Sequence, residues 1–152
     1  MKYTKDDCIR DTVEHIMQVR KLMIIVIDEL LLRATEHDKS KLSSPELEGF
    51  TEYSPKLKKS TYGSDEYIEN LKGLKVTLDH HYLNNSHHPE HFENGIQGMN
   101  LIDLVEMFCD WKAATIRHKD GDIRKSIEIN KERFNMSDDL VQILKNTVKY
   151  FD

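Results

Sequence analysis

Proline, glycine and cysteine are all scarce in this chain of 152 residues. Three prolines and six glycines, with no low-complexity tract, exclude a collagen-like or linker-like polymer and suit a chain that is mostly helical. The two cysteines, Cys8 and Cys109, have neither CxxC spacing nor a secretory signal ahead of them. No disulfide framework is expected, and they read as reduced thiols in a cytosolic protein. Period-2 alternation of useful length is missing, as is any internal repeat, so a sheet or solenoid is not expected. No apolar run is long enough for a membrane. The most apolar stretch, residues 23–32, is about ten residues long and carries Asp28 and Glu29, against the ~20 residues of a span. It reads as a buried core helix. Nor do Lys and Arg cluster with interleaved aromatics: 22 basic against 27 acidic residues give a net charge of −5, which speaks against long nucleic acid as a ligand.

What is present is an ordinary globular composition, 32% charged and 38% hydrophobic, in a length that fits one domain burying roughly two thirds of its unfolded surface. Thr4 and Asp7 form a capping box, and Ile9, Val13, Ile16, Val19 and Met23 recur at helical spacing behind it, predicting a helix over residues 5–35, in one piece or broken once. Ser43 or Ser44, then Pro45 and Glu46, opens a second helix reaching about Tyr53. Residues 53–63 read as a loop punctuated by Pro55 and Gly63. Ser64 caps a third helix ending near Leu83, and an irregular segment with Asn84, Asn85, Pro89 and Gly95 follows. Asn100 with Asp103 caps a helix to about Arg117. Asp122 to Phe134 forms another, and Ser137 caps a last one over residues 138–150. The expected fold class is all-α, a single compact bundle of six or seven helices over residues 1–152.

Five of the eight histidines fall in residues 79–91, DHHYLNNSHHPEH. The others include His15 in the first helix and His37, which stands beside Asp38 at the end of that segment. Adjacent His and Asp present a nitrogen and an oxygen to one divalent ion, although a solvated helix end offers the same dipeptide. Asp110 is more telling, because it lies in the apolar stretch LVEMFCDWKAA. A carboxylate there is costly unless it has a partner such as Arg117 or Lys112, or binds a cation. Glu106, one turn earlier, sits on the same face as a supporting carboxylate or a surface acid.

The order of a helix-borne His15, then His37-Asp38, then Asp110 in an apolar helix resembles the H…HD…D pattern of the HD-domain metal-dependent phosphohydrolases. The chain more closely resembles a family of small phage and bacterial HD-like proteins of unknown function (DUF5662-like), through His37-Asp38-Lys39-Ser40-Lys41, Pro45-Glu46, His81 and Asn85 to His87-His88-Pro89-Glu90-His91, and Glu106-Met107 to Asp110-Trp111-Lys112-Ala113-Ala114. That resemblance covers nearly the whole chain. It implies an HD-like helical domain in which His15, His37, Asp38 and Asp110 ligate one metal. Some HD-domain phosphodiesterases bind a second ion through further histidines, a role open here to His81, His87 and His88. These three could equally bind a substrate phosphate or act as general acid.

Lys41, four residues past His37, is placed to meet phosphate oxygens, and Glu46 to orient water or to cap its helix. Asn85 and Glu106 are expected as supporting residues around the ligands, while His80 and His91 are assigned to solvent and Trp111 to the core. The expected activity is hydrolysis of a small phosphorylated substrate, with nucleotides the foremost candidates, using one or two divalent ions (Mn, Mg, Co, Zn or Fe). An iron oxygenase of the di-iron HD type and a non-catalytic metal- or ligand-binding protein are the alternatives. One condition is geometric: His15 and His37 share an ion only if the chain turns between Leu22 and Thr35, since an unbroken helix would separate them by roughly 33 Å at 1.5 Å per residue.

Overall fold

The structure is a computed structural model that describes residues 3–60, 64–117 and 120–151. Its α-helices are α1 (Lys5–Glu36), α2 (Glu46–Lys59), α3 (Asp65–Asn84), α4 (Leu101–Ile116), α5 (Ile123–Phe134) and α6 (Asp138–Thr147), and no strand occurs among the described residues. The all-α expectation is met. The chain divides into two compact units, Met1–Glu36 and His37–Asp152.

The first unit is α1 alone. Its start is the predicted box: Asp7 N–H donates to Thr4 Oγ1 at 3.2 Å while Asp7 Oδ2 accepts from Thr4 N–H at 2.9 Å. The helix then continues for 32 residues to Glu36 without interruption. The turn expected between Leu22 and Thr35 is therefore absent, because that stretch contains no proline or glycine and none of its residues breaks the helical hydrogen-bond ladder. His15 lies 21 residues from Glu36, about 32 Å along the axis.

In the second unit the apolar core is built by α4, α5 and α6: Phe108, Ile123, Ile127, Met136, Val141, Leu144 and Val148 are buried together, and Trp111, Phe134 and Leu140 pack against them. Trp111 stacks on Phe134 with ring centroids 6.3 Å apart, which is the core role expected of it. The Asn100–Asp103 capping box of α4 is present, and Asp122 and Ser137 cap α5 and α6 as predicted. Asn135 adopts φ 48°, the left-handed conformation that Asn tolerates, and turns the chain from α5 into α6.

The helix α2 and α3 pack closely, and two glycines explain how. A Cβ on Gly49 would stand 1.8 Å from Thr77 Oγ1, and one on Gly73 would stand 2.4 Å from the Tyr53 ring. Tyr53 thus packs on the bare backbone of α3. That contact, with the Lys56–Glu52 ion pair at 2.7 Å, keeps α2 helical through Pro55 to Lys59, where the sequence predicts a loop. Tertiary packing here outweighs the donor lost at Pro55. Gly63, the other residue read as loop punctuation, lies outside the described residues. The α6 helix gives way at Val148 to a 3-10 turn reaching Tyr150. Both cysteines are free, and among the described residues no helix is long and apolar enough to cross a membrane.

The α2–α3 contact also holds Glu46 beneath His81, so packing and site geometry are coupled. Gly49→Ala should force these helices apart and lower stability by about 1–3 kcal/mol, the usual cost of overpacking. A denaturant midpoint equal to that of the wild type would refute the close-packed α2–α3 contact.

Candidate metal centre

Two buried carboxylates organise the polar interior of the second unit. Glu46, in the first turn of α2, is fully buried. Its Oε2 accepts from His81 Nδ1 at 2.7 Å and from Ser40 Oγ at 3.0 Å, while its Oε1 accepts from His80 Nδ1 at 2.8 Å. Glu106 in α4 does the same for a second pair: its Oε1 lies 2.8 Å from His37 Nδ1 and 3.0 Å from His87 Nδ1. Because a carboxylate only accepts, each of these imidazoles carries a hydrogen on Nδ1; His37, His81 and His87 turn Nε2 toward Asp38, while His80 stays half-exposed with its Nε2 beside the Asn84 amide. Asn85 bonds Ser40 Oγ at 2.8 Å, and Ser86 Oγ donates to the buried Asp103 at 2.7 Å, tying the histidine-rich loop to the 3-10 turn Lys39–Leu42 and to α4.

The Nε2 atoms so directed meet Asp38. Its Oδ1 lies 3.4 Å from His81 Nε2 and 3.6 Å from His87 Nε2, and His81 Nε2 lies 2.9 Å from His88 Nε2. Two donors on one ion at ~2.0–2.1 Å stand about 2.9 Å apart at a right angle and about 3.4 Å apart at the tetrahedral angle. The spacings are those of the edges of a coordination shell. Two of these atoms, Asp38 Oδ1 and His87 Nε2, are buried without a hydrogen-bond partner, a costly condition that a cation between them would relieve. Asp38, His81, His87 and His88 form one donor group, His37, Asp38 and Asp110 a second, and His37, His87 and Glu106 a third. Asp38 belongs to the first two. Its own backbone sits at φ 58°, a left-handed conformation uncommon outside glycine that recurs at functional sites.

The charges fit this arrangement. His37 is raised to about 10 by the Asp110 carboxylate beside its Nε2 and by its bond to Glu106, with Asp38 adding a smaller pull. His88 falls to about 3 because burial and the neighbouring His87 and His81 oppose its charge. Burial by itself would raise Asp38, but Lys41 Nζ at 2.6 Å from Oδ2 outweighs it and holds the carboxyl low. Burial likewise opposes the charge of Glu46, and the donors His80, Ser40 and His81 prevail. Asp110 is lowered in the same way by His37, whose Nε2 is 3.8 Å from its Oδ1.

A family model described as "Family of unknown function (DUF5662)" matches residues 4–150. The chain belongs to that family. No curated protein and no solved structure matches it.

Of the residues singled out in the sequence of this family member, the structure brings together His37, Asp38, Asp110, His81, His87 and His88, with Lys41, Glu46, Asn85 and Glu106 around them. His15 is the exception. It lies on the unbroken α1 and belongs to none of the donor groups found among the described residues. Two expectations shift in role. Glu46 holds histidines rather than water, and His80, assigned to solvent, is bonded to Glu46; His91 is exposed as expected, with Nδ1 on the Tyr82 carbonyl at 2.8 Å. The sequence reading missed Ser40, Ser86 and Asp103. Ser40 lies inside the HDKSK motif, and Asp103 had been explained in full by its capping role.

If Glu106 sets the orientation of two imidazoles, Glu106→Gln should weaken binding of a divalent ion 10- to 100-fold by calorimetric titration, because a neutral amide oxygen holds the two ring N–H groups more weakly than a carboxylate does. Unchanged affinity would remove Glu106 from the centre. For the ion-free protein the sign for His37 follows from its raised pKa: the stabilisation is complete below the unfolded value of 6.5 and disappears as pH rises through about 10. Chelator-treated protein should therefore lose stability across that interval. His37→Gln should flatten the loss, and an unaltered pH profile would contradict the assignment.

Proposed function

We propose that this chain is a metal-dependent hydrolase of small phosphorylated molecules, nucleotides among them. The observation that carries the proposal is the shared carboxylate: Asp38 offers Oδ1 to three imidazoles on one side, belongs with His37 and Asp110 on the other, and has the cationic Lys41 at 2.6 Å. The meeting of His37-Asp38 with the distant Asp110 also supports kinship with the HD-domain phosphohydrolases, without the upstream histidine of their pattern.

Three imidazoles and one carboxylate suit Mn, Fe, Co or Zn better than Mg, which prefers oxygen donors. An ion in this centre supplies Lewis acidity, making water a nucleophile near neutral pH and drawing charge from phosphoryl oxygens. The protein's own groups have separable tasks. His81, His87, His88 and Asp38 hold the ion, and Glu46 and Glu106 fix the rings. Lys41, half-buried beside Asp38, provides a point charge for a phosphate oxygen. With one ion in the imidazole group, His37 stands beside Asp110 and is placed to protonate the leaving oxygen; with a second ion, His37 and Asp110 become ligands. His88, which burial keeps neutral, serves as a ligand and not as an acid.

A phosphate-release screen over nucleotides and simple phosphomonoesters, run with each of Mn, Fe, Co, Zn and Mg, tests this reading. Release is expected with at least one of the first four. Asp38→Ala and Asp110→Ala should each lower the rate by at least a hundredfold in folded protein. A protein that binds metal through these residues and releases phosphate from none of the substrates would overturn the proposal. Aerobically bound iron with an optical or paramagnetic signal would then point to oxygen chemistry.

A further inference from the structure

The six apolar residues 22–27 of α1 are bracketed by two pairs of opposite charge, Arg20 and Lys21 before them and Asp28 and Glu29 after them. Within its own unit α1 has no second element to pack on. A solitary helix rich in Ile and Val is poorly stable in water, since β-branched residues weaken helix formation and most helical stability comes from packing an apolar face. At 100° per residue, Ile9, Val13, Ile16, Ile24, Ile27 and Leu31 fall within about 80° of one another around the axis, a stripe along most of the helix interrupted at Arg20. Lys21 and Asp28, seven residues apart, lie about 20° from each other and border the same edge of that stripe.

We infer that this stripe is an interface with a second copy of the same chain, in which two α1 helices pair antiparallel about a twofold axis between Ile24 and Ile25. The charges choose the orientation. A twofold axis across an antiparallel pair brings the same edge of both helices together, and a centre at 24/25 sets residues whose numbers sum to 49 at the same level. Lys21 then meets Asp28 of the second copy, and Asp28 meets its Lys21, while Glu29 lies on the outer face of the pair. In a parallel pair opposite edges meet instead, and Lys21 would face the aliphatic Val19 and Val26. Such an interface is isologous, the usual form for a homodimer. Arg20, inside the stripe, favours this register over slipped ones, as single polar residues do in helical seams.

Sedimentation equilibrium on the full chain, with single and double charge reversals, tests the pairing. The wild type should dimerise at micromolar concentration. Lys21→Glu or Asp28→Lys should each weaken the dimer by roughly tenfold or more, since two like-charge contacts replace two attractive ones, and the double reversal should restore it. Circular dichroism shows whether each variant keeps its helix. In a mixture of normal and isotopically labelled chains, a zero-length carbodiimide cross-link should join Lys21 of one copy to Asp28 of the other. A chain that stays monomeric at hundreds of micromolar would overturn the proposal and leave the stripe to the rest of its own chain or to another molecule. A dimer indifferent to the single reversals, or one not rescued by the double, would overturn the register.

Discussion

One carboxylate oxygen, Glu106 Oε1, accepts from the Nδ1 of both His37 and His87, and much of the polar interior depends on that shared bond. It fixes the orientation of two rings whose origins are fifty residues apart, His37 following α1 and His87 in the loop after α3. Glu46 repeats the device for His80 and His81. An imidazole tied at Nδ1 has its Nε2 aimed: a neutral ring such as His81 presents a lone pair there, whereas His37, raised to about 10, keeps a proton that a metal must displace, and the two carboxylates thus convert scattered histidines into a directed set. The supporting polar contacts follow from this. Ser40, Asn85, Ser86 and Asp103 hold in place the segments that carry the rings.

This interior gives up stability to keep a cluster of polar donors. Fully or nearly buried Glu46, His81, His87 and Asp103 occupy volume that apolar side chains would fill at lower desolvation cost. Asp38 Oδ1 and His87 Nε2 are left without partners, and Asp38 takes up a left-handed backbone. Such features survive only where the surrounding structure over-determines them, and here the α4–α6 core and the glycine-mediated α2–α3 contact do so. The site is accordingly built where packed elements meet and not on a free loop.

Much of this was legible in the sequence because local signals and tertiary outcome agree. Thr4, Ser64, Asn100, Asp122 and Ser137 each cap the helix their position announces. Asp110 stood out as a charge in an apolar helix, and the density of histidine over residues 79–91 marked the segment whose His81, His87 and His88 the fold brings to Asp38. What stayed hidden depends on contacts between residues far apart. The helical state of Pro55 depends on Tyr53 meeting Gly73 of another helix, and the burial of Glu46 depends on His80 and His81, thirty-four and thirty-five residues on. His15 misled because a pattern of residue types carries no distance; only the continuity of α1 shows that it lies a helix length away.

The central claim is that buried carboxylates aim Nε2 atoms and Asp38 at a cation. Anomalous diffraction from crystals grown with manganese, recorded on both sides of the metal edge, tests it most directly. The account predicts a peak within about 2.3 Å of Asp38 Oδ1 and the Nε2 atoms of His81, His87 and His88, with any second peak between His37, Asp38 and Asp110. An ion bound elsewhere, or a water bonded to Asp38 Oδ1 and His87 Nε2 with no anomalous signal, would contradict it.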